Sequence, residues 1–397
     1  MAVKKLYEIK LLRRKKANMN TPVIIKQVTV RFCTFAQMFR GSYTDGSVDP
    51  DLIFLFVAVS DGKETGYGEC LPTSLIYSGI KGQSNIDEWQ MLLRMCGELP
   101  GKDARHLGRL IPDGMRSEDT NSIIDAVDFA LHDLVGKRLG VPVSVLLGGM
   151  AKPFVWGMPV VHTDTPEKMI ANAAQWYRQY GFLFFKLKPI GQLDADLCVI
   201  KGIRAQTSPD VRFCLDANYS LKMDPDEVIQ YINALSKHGL DTYEDPIDSD
   251  WAGYQYICKH LKAKLMLDEK ARTPQGVMEI VKHRCAHQIN IHADWAGGFQ
   301  AGIHKAQLAA MGDISTMIGS THYLGVGAAA YQILSSVLPG NVPCEQVYME
   351  VYGMKSYISD PYEIRDGKIF IRNAPGLGVQ PDMPAIEKIT IKKEIFS

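Results

Sequence analysis

An apolar run, FLFFKLK, closes on two lysines two positions apart, Lys186 and Lys188. Residues i and i+2 of a strand face the same side, so a buried strand here would aim two ammonium groups at one spot. Unpaired, they would be costly to bury, so each needs a partner. The sequence that follows offers partners at a regular interval. Asp216 and Asn218 close FCLDAN, Glu244 closes TYEDP, Asp268 and Glu269 close LMLDE, His292 lies in INIHAD, His322 in GSTHY and Glu345 in PCEQ. From Lys188 the steps to Asp216, Glu244, Asp268, His292, His322 and Glu345 are 28, 28, 24, 24, 30 and 23 residues, each about one strand-plus-helix unit. In a barrel such strand ends converge on one mouth.

That set suits one kind of chemistry. Asp216, Glu244 and Asp268 repel one another unless a cation holds them, and all-oxygen donors favour Mg2+ over zinc. An ammonium beside a second one, and beside a bound cation, is expected to titrate lower, toward the range of about 7–8 where lysine acts as a general base. The reaction implied is removal of a weakly acidic proton next to a carboxylate, with the metal holding the enediolate charge. A single DxN or EDP is a common turn former; their recurrence beside K-x-K carries the reading. His292 gains weight from its position at the mouth, and His322 stands between a functional and a structural role. Asp294 either orients His292 or caps the next helix. Glu345 joins the site or is a surface carboxylate. Trp295 and Phe299 line the pocket or pack, while Cys214 and Cys344 read as core.

The elements that must position these residues follow from the pattern. VIIKQVTVRFCT at 23–34 and IFLFVAVS at 53–60 read as strands joined by a polar loop. In AVDFALHDLVGKRLG at 126–140, Ala126, Phe129, Ala130, Leu134 and Leu139 form a helical stripe that Gly140 and Pro142 end. Residues 23–150 therefore read as an α+β unit. From about 153, strands are predicted near 155–160, 183–188, 212–216, 242–244, 264–268, 288–292, 314–318 and 342–345, with helices such as PEKMIANAAQWYRQYG and PDEVIQYINALSKHG between them. About eight units over some 190 residues fit a closed parallel barrel, and the short strands after 346 must pack on something already built.

Composition narrows the class. The 397 residues carry 44 Lys+Arg against 44 Asp+Glu, a formal net charge of zero. This argues against electrostatic binding to nucleic acid or an anionic membrane, and no apolar stretch reaches transmembrane length. The basic start, MAVKKLYEIKLLRRKKANMN, lacks the apolar core of a secretory signal and reads as a solvated arm. The eight cysteines form no C-x-x-C pair, which fits reduced thiols in a cytoplasmic protein.

Taken together, the chain resembles the enolase superfamily, of the mandelate racemase / muconate lactonizing enzyme type, over roughly 23–385. The likeness rests on AVDFALHDLVGKRLGVPVSVLLGG, KLK, LDAN, YEDP, LDE, AGG after the sixth strand and PGLGV near the end. It implies an α/β fold, a (β/α)7β TIM-like barrel with an α+β N-terminal capping domain. The implied division is an N-terminal extension at 1–22, the capping domain at 23–150, the barrel with the active site at 151–345, and a segment at 346–397 that returns to the cap. The family's metal ligands map onto Asp216, Glu244 and Asp268, with Glu269 competing with Asp268, and its catalytic lysine onto Lys188 with Lys186 as neighbour. The pattern departs five residues before Gly297. His292 stands there, where the muconate-lactonizing and epimerase-like branch carries a lysine and the mandelate-racemase branch an aspartate. His322 lies near the racemase branch's seventh-strand histidine. Cap loops at about 36–50 and 70–84 would close over substrate, offering Arg40, Tyr43 and Tyr77; Asn218, Glu269, Asp294 and Glu345 complete the substrate-binding candidates.

The leading expectation is Mg2+-dependent dehydration of a small hydroxy-carboxylate such as a sugar acid, Lys188 taking the α-proton and His292 or His322 protonating the leaving hydroxide. The alternatives are a racemase, epimerase or cycloisomerase acting on a carboxylate, and a non-catalytic metal-binding scaffold. The expected partner is a small carboxylate substrate, with no nucleic acid and no membrane, in a homo-oligomer.

Overall fold

The computed structural model describes residues 21–35, 52–72, 88–112, 115, 117, 120–292, 295–319, 323, 325–340, 343–347, 351–352, 357–359 and 362–397. A four-stranded antiparallel sheet forms the first layer, in the order β14-β1-β2-β3. Its strands are β1 (Gln27–Phe35), β2 (Leu52–Ser60), β3 (Thr65–Cys70) and, from the far end of the chain, β14 (Thr390–Phe396). The run IFLFVAVS is apolar throughout because both faces of β2 are covered. Leu55, Val57 and Val59 meet the helix Asn121–Leu139, while Phe54 and Phe56 turn toward the barrel-side core.

β3 did not figure among the expected strands, and its composition explains why. TGYGEC lacks the apolar alternation of a strand, since its two glycines are contact points. A Cβ on Gly66 would lie 2.1 Å from the Ala130 carbonyl oxygen, and one on Gly68 2.0 Å from that of Ala126. The helix Asn121–Leu139 thus sits almost on the strand backbone. It is buried on every side from Ser122 through Gly136, a wider burial than one stripe suggests, and ends at Gly140 in the left-handed conformation, as its sequence implies.

The barrel sheet runs β5 (Val160–Val161), β6 (Phe184–Leu187), β7 (Arg212–Asp216), β8 (Leu240–Glu244), β9 (Lys264–Leu267), β10 (Gln288–Ile291) and β11 (Ser315–Ile318), each parallel to its neighbour. Side chains alternate along it. Phe185, Leu187, Leu215, Tyr243 and Ile289 face out into the main core, while Met158, Cys214, Met266 and Met317, with Phe184, fill the interior below the mouth.

Two expected strands take a different form. The segment 155–160 divides. β4 (Phe154–Trp156) pairs with β13 (Lys368–Phe370), which pairs with β12 (Ile364–Arg365), and only Val160–Val161 joins the barrel. Pro159, which has no N–H to donate, lies at the division; its carbonyl accepts from the Lys186 amide. The strand at 342–345 shrinks to one rung, Cys344, which bridges Gly157 on one side and Ile318 on the other. That rung closes the ring. Among the described residues no helix is long and apolar enough to cross a membrane.

Candidate active site

Lys186 and Lys188 point into the barrel mouth and are almost wholly buried. Lys186 Nζ lies 2.6 Å from Glu244 Oε2, 2.7 Å from Glu345 Oε1 and 3.3 Å from Asp216 Oδ2. Lys188 Nζ donates to Asp216 Oδ2 and to Asn218 Oδ1, both at 2.6 Å. The two ammonium groups therefore share Asp216, and their burial is compensated. The sheet register makes this possible: Lys186 is level with Cys214 on β7, and Asp216 is level with Glu244 on β8.

Four carboxyl groups, Asp216, Glu244, Asp268 and Glu345, face these two ammonium groups, and all six are buried. The imbalance shows in their titration. Burial and then the Asp216 charge raise Glu244 to about 8, against the pull of Lys186. Burial likewise raises Asp268 to about 6, although Arg272 and both lysines oppose it. Asp216 goes the other way: burial would raise it, but Lys188 and Lys186 hold it well below the usual carboxylate range. A lysine of this pair was expected to titrate low, and Lys186 does not. Burial does favour its neutral form, yet Glu244, Glu345 and Asp216 outweigh it and lift the ammonium well above its ordinary value.

The donor set fits a hard dication. Three carboxylates stand at successive strand ends, and Asp268 Oδ1 is buried with no hydrogen-bond partner. The excess of two negative charges over the lysines matches one divalent ion. As they stand, Asp216 and Glu244 close on the lysines, and among the described residues no three His, Cys, Asp or Glu side chains gather round a common point.

The supporting shell held residues that strand-end spacing does not flag. Asn290 Nδ2 donates to Glu244 Oε1 at 2.9 Å. Asp245, in the left-handed region at φ 41°, accepts from the amides of Asp268 at 3.3 Å and Glu269 at 3.1 Å, fixing the turn that carries Asp268. Glu269 itself pairs with Arg272 at 2.6 Å. The Arg272 guanidinium lies 3.8 Å from the centre of the Trp295 ring, which lies 5.0 Å from that of His292. Burial raises the Glu345 pKa; Lys186 opposes this most, and His292 lies close enough to oppose it as well. Trp295 therefore packs between two polar side chains, whereas Phe299 is core, 4.7 Å from Phe129. Cys214 and Cys344 are buried, as expected.

The AGG motif explains how the first layer reaches this loop. Gly297 and Gly298 have φ of 75° and 92°, and the Phe299 amide donates to Asp128 Oδ2 at 2.9 Å. Asp125 accepts from the Gly298 amide and, at 2.6 Å, from the Tyr331 hydroxyl. Two acids of the helix Asn121–Leu139 thus cap the helix Phe299–Ala310 from across the interface. Sequence reading took that helix for its apolar stripe and passed over the acids.

His162 was also missed, although a signal existed. It lies 26 residues before Lys188, one more step of the same spacing, and directly follows β5. Val160 is level with Lys186, and the Lys188 amide donates to the Val161 carbonyl at 2.9 Å, so the register brings His162 alongside Lys188. Its ring is buried, with its centre 5.7 Å from that of Tyr352. Arg40, Tyr43, Tyr77, Asp294 and His322 lie outside the described residues.

Comparison with known proteins agrees with this architecture. Residues 44–148 match the mandelate racemase / muconate lactonizing enzyme N-terminal domain, and residues 168–385 match the enolase C-terminal domain-like family. An o-succinylbenzoate synthase of Geobacillus kaustophilus is 27% identical over 87% of this chain and 90% of its own length. Muconate cycloisomerase 1 of Rhodococcus opacus is 25% identical over 85% and 90%. A dipeptide epimerase of Cytophaga hutchinsonii, crystallised with Mg and the dipeptide D-Ala-L-Val, superposes with a TM-score of 0.79 over 94% of this chain and all of that one. At 18% identity it speaks to the fold alone.

Proposed function

The chain belongs to the enolase superfamily, in its mandelate racemase / muconate lactonizing enzyme subgroup, and on that premise we propose that it isomerises a small carboxylate by moving its α-proton. One observation carries this reading. Counting β5 as the first position of the ring and the Cys344 rung as the eighth, β6 is second and β10 sixth. Lys188 and His292 therefore end strands on opposite sides of the mouth, as two groups must if one removes a proton and the other returns it on the other face. The names of the sequence relatives, muconate cycloisomerase 1 among them, favour this over dehydration of a sugar acid.

Asp216, Glu244 and Asp268 would hold the cation, Mg2+ by donor chemistry and by analogy with the Mg-containing epimerase. Bound there, it would supply positive charge to the substrate carboxylate as negative charge develops on it. Lys188 Nζ takes the α-proton, oriented by Asp216 and Asn218. Lys186, held protonated by Glu244 and Glu345, is a fixed charge and not the base. His292 delivers a proton to the opposite face, steadied by the Trp295 ring and, through it, by Arg272. Dehydration remains the second reading, since a protonated His292 can equally serve a leaving hydroxide.

Incubation of N-succinyl amino acids, dipeptides and sugar acids in D2O separates the two. Isomerisation labels the α-carbon of an isomeric product; dehydration yields a 2-keto acid that semicarbazide traps. In His292→Asn, exchange from the enantiomer facing Lys188 should persist while its conversion stops. Retained conversion in that variant would falsify the two-face assignment.

A further inference from the structure

β14 runs along the outer edge of the four-stranded sheet, and among the described residues no strand pairs with its outer side. Its seven residues, TIKKEIF, are exposed from Ile391 to Ile395, and both isoleucines are more than half exposed, at 59% and 54%. A bare edge presents unpaired N–H and C=O groups to any strand that can match it. A second copy of the same edge can do so about a two-fold axis.

The sequence of β14 selects one register for that pairing. Residues directly opposite in an antiparallel pair share a face, so an axis perpendicular to the sheet must pass through a residue, not between two. Centred on Lys393, it sets Lys392 against Glu394 and Ile391 against Ile395, each pair occurring twice. Moved one residue either way, it sets an isoleucine against Lys393. The register shift between Phe32 and Cys33 limits regular pairing with β1 to Lys392 onward. The charged pairs therefore carry the register, and the isoleucines cover its ends. Lys393 would meet its own copy at the centre, and its charge is only partly offset there: its Nζ lies 2.7 Å from Glu387 Oε1, while Glu387 Oε2 also holds Arg31 at 2.9 Å.

We propose that two copies of this chain join through β14, antiparallel about Lys393, to make one continuous sheet from two capping sheets. The contact is independent of the reaction at the barrel mouth. Sedimentation velocity on the full chain tests it through charge reversal. Wild type sediments as a dimer. Lys392→Glu and Glu394→Lys each place like charges opposite and sediment as monomers that remain folded, with circular dichroism unchanged. Mixed in equal amounts, the two variants restore opposite charges at both pairs and form a mixed dimer. Glu394→Gln, which introduces no repulsion, gives a folded intermediate case whose dimer dissociation constant rises about tenfold. A wild type that stays monomeric as concentration rises overturns the proposal. So does a dimer indifferent to both reversals, or two monomeric variants that remain apart when mixed.

Discussion

Lys186 and Lys188 stand two positions apart in sequence and share Asp216 in the fold, but their other partners differ. Sequence reading treats them as a mutually repelling pair. It could not weigh Glu345, which lies 157 residues beyond Lys188 and reads equally well as a surface acid until the ring closes. Once Glu345 meets Lys186 at 2.7 Å, that lysine becomes a fixed cation, and the base role falls to Lys188 alone. Lys188→Ala should therefore lower α-proton exchange by about 10²–10⁴-fold, the usual worth of a general base, with the circular dichroism unchanged. Exchange at wild-type rate would remove Lys188 from the chemistry. The strand-end residues were legible because one βα unit has a narrow length. His162 obeyed the same interval and was passed over only because the series was begun at Lys188. Asp245, Asn290 and Arg272 obey no interval; their roles come from contacts between neighbouring strand ends.

At the scale of elements, legibility followed side-chain pattern. β2 and the helix Asn121–Leu139 announce themselves by apolar content, whereas β3 is written in glycines whose purpose is close approach. Gly68→Ala tests this. The helix must move to admit a methyl group otherwise 2.0 Å from the Ala126 oxygen, at a cost of about 1–3 kcal/mol read by urea denaturation. An unchanged midpoint would mean the helix is not seated on the strand. The same helix carries a pH response. Burial favours neutral His132, but Asp128, whose carbonyl oxygen lies 2.8 Å from Nδ1, outweighs it and raises the pKa. A raised folded pKa stabilises fully below the unfolded value of about 6.5 and loses that contribution as pH rises through the folded pKa. The stability advantage of wild type over His132→Gln should therefore be fullest below about pH 6.5 and shrink as pH rises above it. A gap that stays constant as pH rises would show that the pair does not titrate.

The molecule as a whole is a ring whose interior charge is unbalanced. Its parallel sheet and its closure near 342–345 were legible from strand–helix alternation, but the form of the closure was not, because the closing position is a single rung at Cys344 and not a full strand. That closure brings Glu345 to the mouth and completes the group of four carboxyls around two ammoniums. A fold that holds such a group together stores repulsion, and a dication bound to the native state alone relieves it. Mg2+ should then stabilise chelator-treated protein by mass action, about 2.7 kcal/mol when its concentration is a hundred times the dissociation constant. The shift should be largely lost in Asp268→Asn, which removes charge from the carboxyl whose Oδ1 has no partner. The same variant should be no less stable than wild type without the ion, since it also removes one of the repelling charges. These two responses separate a cation site from a purely structural cluster. If Asp268 served packing alone, its loss would destabilise the chain equally with and without Mg2+, and thermal denaturation in paired samples would show the two curves falling together.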